Sequence, residues 1–150
     1  MKISQKGIDF ICSYEGFSST PYPDPGTRGE PYTIGYGTTT YPNGKKVTMQ
    51  DNAITVDEGK MYIADHISHF ETWLNSELPN LKQGQYDALC SFIYNTGQNA
   101  FASSTLLKDI KAGCSNELIT AEFNKWVHGG GHVLPGLVKR RKAEAEIYCS

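Results

Sequence analysis

Residues 14–40 read YEGFSSTPYPDPGTRGEPYTIGYGTTT, and this stretch breaks with the chain on either side of it. Residues 22–48 hold most of the prolines, with many glycines, threonines and tyrosines, whereas the remainder shows helical periodicity cut by short breakers. The shift predicts a small β-rich subdomain inserted after a first helix, followed by a helical body. Within it, Tyr41-Pro42-Asn43-Gly44 separates YTIGYGTTT from KKVT. Asn and Gly both tolerate positive φ, so this turn between two β-prone runs predicts a hairpin.

Outward from that stretch the signals are helical. Ser4 is placed to cap a first helix over about 4–12, with Ile8, Ile11 and Cys12 at helical spacing and Glu15 within roughly one turn of its end. Thr55-Val56-Asp57-Glu58 is a capping box. Ile63, Ile67, Phe70 and Leu74 then form one apolar stripe, and the helix should end near Leu78, before Pro79. A helix over about 83–96 puts Tyr86, Leu89, Cys90 and Ile93 on one face, with Gly97 as its stop. Ser103 or Ser104 starts a short helix that ends near Gly113, and another is expected over roughly 117–127. Pro135 suits the first turn of the last helix, whose basic run lies early, against the helix dipole.

The chain has 150 residues, 39% hydrophobic and 20% charged, with a net charge of −2. These values describe one ordinary globular domain and lack the basic footprint of a nucleic-acid binder. No segment has the length of a membrane span, and Gln5, Lys6, Gly7 and Asp9 interrupt any signal-peptide core at the N-terminus. Residence in the cytoplasm of the producing cell is therefore expected. Cys12, Cys90, Cys114 and Cys149 form no CxxC pair and read as small buried hydrophobes, reduced in that compartment, with disulfide formation after release as the alternative.

Two carboxylates stand out in the decisive stretch. Glu15 lies at a helix end among Phe10, Tyr14 and Phe17, and Asp24 lies in a proline-flanked turn. Glycoside hydrolysis uses such a pair: one carboxyl kept protonated by an apolar setting to donate to the leaving oxygen, the other ionised in a wetter one. Thr33 can orient a water through its hydroxyl, and Glu30 is a third carboxylate on the same loop. On spacing alone a plainer reading stays open, with Glu15 a helix-end surface acid and Asp24 a turn-former.

EGF, YPD and YTIGYGTT in this order resemble the signature of the phage-type lysozymes, the muramidases of glycoside hydrolase family 24. SFIYNTGQNAFASSTLLKDIKAG is similar to the family's central helical segment, and FNKWVHGGGHVLPGLVKRRKAEAEIY to its C-terminal one. The resemblance implies Glu15 as general acid, with Asp24 and Thr33 holding the attacking water on the opposite face of the sugar. It implies inversion by single displacement, for which carboxyl separations of roughly 6.5–9.5 Å are usual. Two departures stand out. Eight residues separate Asp24 from Thr33, three more than in the family, and Thr38 occupies the place where many members have His. Glu30 falls at the family's literal Thr spacing, but Thr33 keeps the TIGYG context.

Other features carry paired readings. Gly35 and Gly37 suit close strand packing rather than a phosphate loop, since no GxxxxGK pattern accompanies them. Tyr36 either lines the cleft or is a half-buried strand tyrosine. Tyr94 and Asn95 face substrate, or Asn95 caps its helix in the left-handed region. His66, His69, His128 and His132 read as exposed, without a carboxylate or Cys to complete a metal set. Lys139, Arg140, Arg141 and Lys142 form a solvated basic face or a contact with anionic wall polymer. Trp126 is core packing or, alternatively, a sugar-stacking surface.

The combined expectation is an α+β, mostly helical, lysozyme-like fold in a single domain of residues 1–150. A β-hairpin subdomain covers about 14–50 and a larger helical lobe about 56–150 plus the N-terminal helix, joined by the long helix, with the cleft between them. Glu15, Asp24 and Thr33 are the catalytic candidates; Tyr36, Tyr94, Asn95, Arg140 and Arg141 are the substrate-binding candidates. The reaction is hydrolysis of the β-1,4 bond between N-acetylmuramic acid and N-acetylglucosamine by a phage endolysin, leading to host lysis. No cofactor or metal is expected. The partners are bacterial peptidoglycan and a separate holin for access to the wall, with no nucleic acid, no membrane insertion and a monomeric state. A lytic transglycosylase on the same bond and a non-catalytic peptidoglycan-binding module are the rival readings.

Overall fold

The computed structural model describes all residues, 1–150. Its order is α1 (Gln5–Tyr14), β1 (Ser18–Tyr22), β2 (Thr33–Gly35), α2 (Val56–Glu77), α3 (Gln83–Thr96), α4 (Gln98–Ala102), α5 (Thr105–Lys111), α6 (Asn116–Phe123), β3 (His128–Gly129), β4 (His132–Val133) and α7 (Pro135–Cys149). This is the mostly helical architecture with small antiparallel hairpins expected from the sequence. The chain divides into two compact units. One comprises Met1–Gly7 and Phe70–Ser150, the other Ile8–His69.

In the unit of residues 8–69, α2 starts as its cap dictates. The Thr55 backbone amide donates to Glu58 Oε1 at 3.0 Å, and the Glu58 amide donates to Thr55 Oγ1 at 3.1 Å. Ile63 and Ile67 are fully buried, each contributing about 2–3 kcal/mol by burial. The unit is larger than the 14–50 subdomain anticipated from composition, because its core recruits helix surface. Gly59 lets Tyr36 and Phe17 close on α2, since an added Cβ would stand 3.0 Å from Phe17 Cε2 and 3.1 Å from Tyr36 Cδ2. Lys60 donates to Asp9 at 3.1 Å, tying α2 to α1.

Strand pairing differs from the sequence reading. The principal hairpin joins β1 to β2, with Tyr22 opposite Thr33 and Ser18 opposite Gly35. The YTIGYGTTT run does not stay extended: Ile34 and Thr38 exchange backbone hydrogen bonds of 2.9 Å, folding the chain back at Gly35-Tyr36-Gly37. Both glycines have positive φ, 65° and 92°, which is why they stand there; they serve this reversal rather than strand packing alone. The Asn43-Gly44 turn forms as expected, but it closes only one bridge, Thr40 to Lys46.

In the other unit, α3 has the predicted bounds, and Gly97 ends it by donating to the Ile93 carbonyl at 2.7 Å. Ser104 caps α5 through the Leu107 amide, and Ser115 caps α6 through the Leu118 amide. The sequence reading ran α6 to residue 127, but it stops at Phe123. From Val127 the chain enters the β3–β4 hairpin instead, turning through Gly130 and Gly131 at φ 58° and 81°. Five-residue α4 has no periodicity of its own in the sequence and was not anticipated. Pro135 opens α7 as predicted.

The N-terminal segment is strapped onto this unit by two carboxylates. Asp87 accepts from the Ser4 amide and the Ser4 hydroxyl, while Glu71 accepts from the Ile3 amide at 2.9 Å and the Tyr86 hydroxyl at 3.1 Å. Gly7 sits under that strap, with its amide on Ser4 Oγ at 3.1 Å. An added Cβ would stand 2.7 Å from Asp87 Cγ and from Ile3 Cγ1. Helix propensity favours Gly7→Ala by about 1 kcal/mol. Overpacking against a carboxylate pinned by Ser4 and Gln83 costs about 1–3 kcal/mol and outweighs it. Gly7→Ala is therefore expected to lower Tm by a few degrees; a raised Tm in thermal unfolding contradicts this packing.

Candidate active site

The three catalytic candidates all belong to the unit of residues 8–69. Glu15 follows α1 directly, and its amide still donates to the Ile11 carbonyl at 3.0 Å, so the helix end fixes its backbone. It is half-buried. The aromatics beside it in sequence pair with other rings: Phe10 with Tyr14 at 5.1 Å and Phe17 with Tyr36 at 5.0 Å between centroids.

Asp24 heads a compact loop. Its Oδ1 accepts from the Gly26 amide at 2.6 Å and the Thr27 amide at 3.2 Å, an Asx turn. Its backbone bonds the Gly29 carbonyl at 2.9 Å and the Arg28 amide at 2.7 Å. The turn thus occupies one carboxylate oxygen and leaves Oδ2 without a partner in the protein. Thr33 opens β2, opposite Tyr22, two residues before Asp24. The β1–β2 register therefore returns Thr33 to the strand end from which Asp24 departs, and the three extra residues are taken up inside the loop. The Thr33 hydroxyl reaches only the Pro31 carbonyl, at 3.5 Å, too long to tie it down.

Tyr36 does not fit the substrate-facing reading. It is 7% exposed, with its ring on Phe17 and its hydroxyl hydrogen-bonded to Cys12. Burial pushes its phenol above the usual range. It is a core residue of its unit.

The remaining candidates belong to the other unit. The solvated-face reading of the basic run fails for its two arginines. Arg140 and Arg141 are 3% and 1% exposed, and between them lies Glu144, fully buried. Glu144 takes Arg141 Nη1 at 2.5 Å, Arg140 Nε at 3.3 Å and the Ser91 hydroxyl at 2.6 Å. Arg140 Nη2 also donates to the Ser91 carbonyl at 3.2 Å. Burial pushes the Glu144 carboxyl up, and both guanidiniums with the Ser91 hydroxyl act against that. This network explains why the arginines lie early in α7: they are placed three and four residues before their carboxylate, not for the dipole. Lys139 and Lys142 are exposed, as expected.

Arg141 continues outward. Its Nε donates to the Trp126 carbonyl at 2.9 Å, its Nη2 donates to Asn95 Oδ1, and its guanidinium lies 5.0 Å from the Phe92 ring centroid. Asn95 is within α3, whose stop is Gly97, so it is not the left-handed cap. Half-buried Trp126 packs edge-on to Phe92 at 5.4 Å, which meets the core-packing reading. A cavity of about 380 Å³ is lined by Asn95, Thr96, Lys125, Trp126, His128, Leu137 and Arg141. Tyr94 is half-buried beside it in sequence. No group of three His, Cys, Asp or Glu side chains is arranged to hold a metal ion. The four cysteines are unbridged.

A sequence model described as phage lysozyme matches residues 12–144. The endolysin of Acyrthosiphon pisum secondary endosymbiont phage 1 is 37% identical over 153 aligned residues, covering 99% of this chain and 98% of that protein. The endolysin of Bacillus phage PZA is 38% identical over 151, covering 100% of this chain but 56% of the longer relative. Among solved structures, the endolysin from Escherichia coli O157:H7 phage FAHEc1 superposes with a TM-score of 0.85 at 32% identity, over 99% of this chain and 93% of that one. The muramidase domain of SpmX from Asticaccaulis excentricus gives 0.81 at 26% identity, over 99% and 98%.

Proposed function

The chain belongs to the phage lysozyme family, with endolysin relatives along its whole length, and on that premise we propose that it hydrolyses peptidoglycan by direct attack of water, with Glu15 as general acid. The bond cut is the β-1,4 link from N-acetylmuramic acid to N-acetylglucosamine. Glu15 protonates the leaving oxygen. Asp24 and the Thr33 hydroxyl hold a water on the opposite face of the ring, and its attack inverts the anomeric centre in one displacement.

The observation that carries this reading is the division of labour at Asp24. One oxygen is spent on the Gly26 and Thr27 amides, which orient the carboxylate, and the other has no partner in the protein. The strand register brings the loosely held Thr33 hydroxyl back to the same strand end. A carboxylate serving only as a turn-former needs neither feature. Substrate contacts by Asn95 and Arg141 along the 380 Å³ cavity, and by Tyr94 next to Asn95 in the chain, belong to the same proposal, with Arg140 held to Glu144 beside Arg141. So does access to the wall through a separate holin; no helix is long and apolar enough to cross a membrane.

The test is release of new reducing sugar ends from purified peptidoglycan, followed beside the clearing of a cell-wall suspension. Both are expected. Binding to the wall without new reducing ends contradicts hydrolysis and favours the non-catalytic module.

A further inference from the structure

Helical hydrogen bonding holds the Glu15 backbone from one side only. Upstream, its amide is bonded to the Ile11 carbonyl at 3.0 Å. Downstream comes Gly16, where an added Cβ would meet nothing within 4 Å, so no packing holds that joint. The next fixed point is Phe17, whose ring lies 5.0 Å from that of Tyr36 between centroids. The Tyr36 hydroxyl is hydrogen-bonded to Cys12, which lies three residues before Glu15 and is its neighbour on the helix surface. One buried side chain therefore grips the chain on both sides of the acid. Tyr36 is itself firmly set. It stands at the apex of the Gly35-Tyr36-Gly37 reversal, closed by the 2.9 Å backbone bonds between Ile34 and Thr38. Its ring presses on α2 at Gly59, where an added Cβ would stand 3.1 Å from Tyr36 Cδ2. Lys60, the next residue of α2, donates to Asp9 at 3.1 Å, so α1 is latched to the same helix three residues before Cys12. A ring serving only to fill the core needs no hydroxyl, and a buried hydroxyl is costly unless it is bonded.

We propose that Tyr36 is a positioning residue for Glu15: by holding Cys12 and Phe17 at once, it fixes the helix end and the turn that aim the carboxyl at the leaving oxygen. The proposal rests on the reading of Glu15 as general acid and deepens it. Proton transfer needs the donor within about 2.6–3.2 Å of the oxygen that receives the proton. A misplacement of about 1 Å at a reacting group costs on the order of 100-fold in rate. The Tyr36–Cys12 bond is one link of the clamp, and its loss should let the helix end shift by only part of that distance. Tyr36 is 7% exposed, with its ring and its hydroxyl both engaged inside the unit. Its influence therefore falls on the chemical step and not on the binding of substrate.

The experiment measures kcat and KM on soluble peptidoglycan fragments, with thermal unfolding beside them, for the wild type, Tyr36→Phe, Cys12→Ala, Cys12→Ser and the double variant Tyr36→Phe/Cys12→Ala. Tyr36→Phe keeps the ring on Phe17 and removes only the hydroxyl. It and Cys12→Ala are each expected to lower kcat by about three- to tenfold, with KM within about twofold of the wild type. The double variant should be no worse than either single one, because both remove the same bond. Cys12→Ser, whose hydroxyl can share that bond, should recover most of the kcat lost in Cys12→Ala. A lowered Tm with kcat unchanged overturns the proposal and leaves Tyr36 a packing residue. A loss confined to KM overturns it too, since Tyr36 then acts on substrate. Additive losses in the double variant overturn it by separating the two side chains. Full activity of Glu15→Gln, or no cleavage by the wild type, removes the reading of the acid itself, and the proposal with it.

Discussion

Glu15→Gln is expected to cut the rate of wall clearing by about 10²–10⁴-fold while leaving the protein folded. Glutamine keeps the shape of the side chain but has no proton to give to the leaving oxygen. Because Glu15 is half-buried at the end of α1, the change in stability should stay within about 0.5 kcal/mol. Turbidity loss and thermal unfolding on the same sample separate the two effects. Asp24→Asn is the informative companion. Asn retains an Oδ1 for the Gly26 and Thr27 amides, so the turn survives and only the charge is lost. A large loss in both variants at unchanged Tm supports two distinct carboxylate roles. Near-normal clearing by Glu15→Gln reassigns the acid.

Glu144→Ala is expected to lower stability by about 3–5 kcal/mol, seen as a Tm roughly 6–20 °C lower. The variant leaves the guanidiniums of Arg140 and Arg141, 3% and 1% exposed, without the carboxylate between them. Removing one member of a buried charge group costs far more than the group contributes net, because the remaining charges keep their desolvation penalty. Lys142→Ala, on the exposed face of the same helix, should stay within about 0.5 kcal/mol and serves as the comparison. Equal, small changes in the two variants contradict the buried network.

The helices were legible where the chain carries its own punctuation. The Thr55–Glu58 box, the Gly97 stop, the Ser104 cap and Pro135 all act within a few residues, so their physics is local. What escaped reading depends on contacts distant in sequence. β1 is SSTPY, without apolar alternation, and pairs with β2 only through its register across the Asp24 loop. The basic run of α7 reads as a surface because Lys and Arg are usually solvated. Its buried face comprises Arg140, Arg141, Glu144, Ala145 and Tyr148, and the Ser91 that completes the network lies 53 residues from Glu144. Periodicity cannot find a core face made of charges. The catalytic candidates were legible as a motif, but the Asx turn that orients Asp24 and the burial that withdraws Tyr36 belong to the folded chain.

The most direct test of the central claim is mass spectrometry of the fragments released from purified peptidoglycan in heavy-oxygen water. Hydrolysis by a water held at Asp24 and Thr33 predicts reducing N-acetylmuramic ends that carry one heavy oxygen, absent when Glu15→Gln replaces the wild type. Unlabelled 1,6-anhydro ends would contradict it, showing that no water enters the reaction and that Asp24 and Thr33 serve some other purpose.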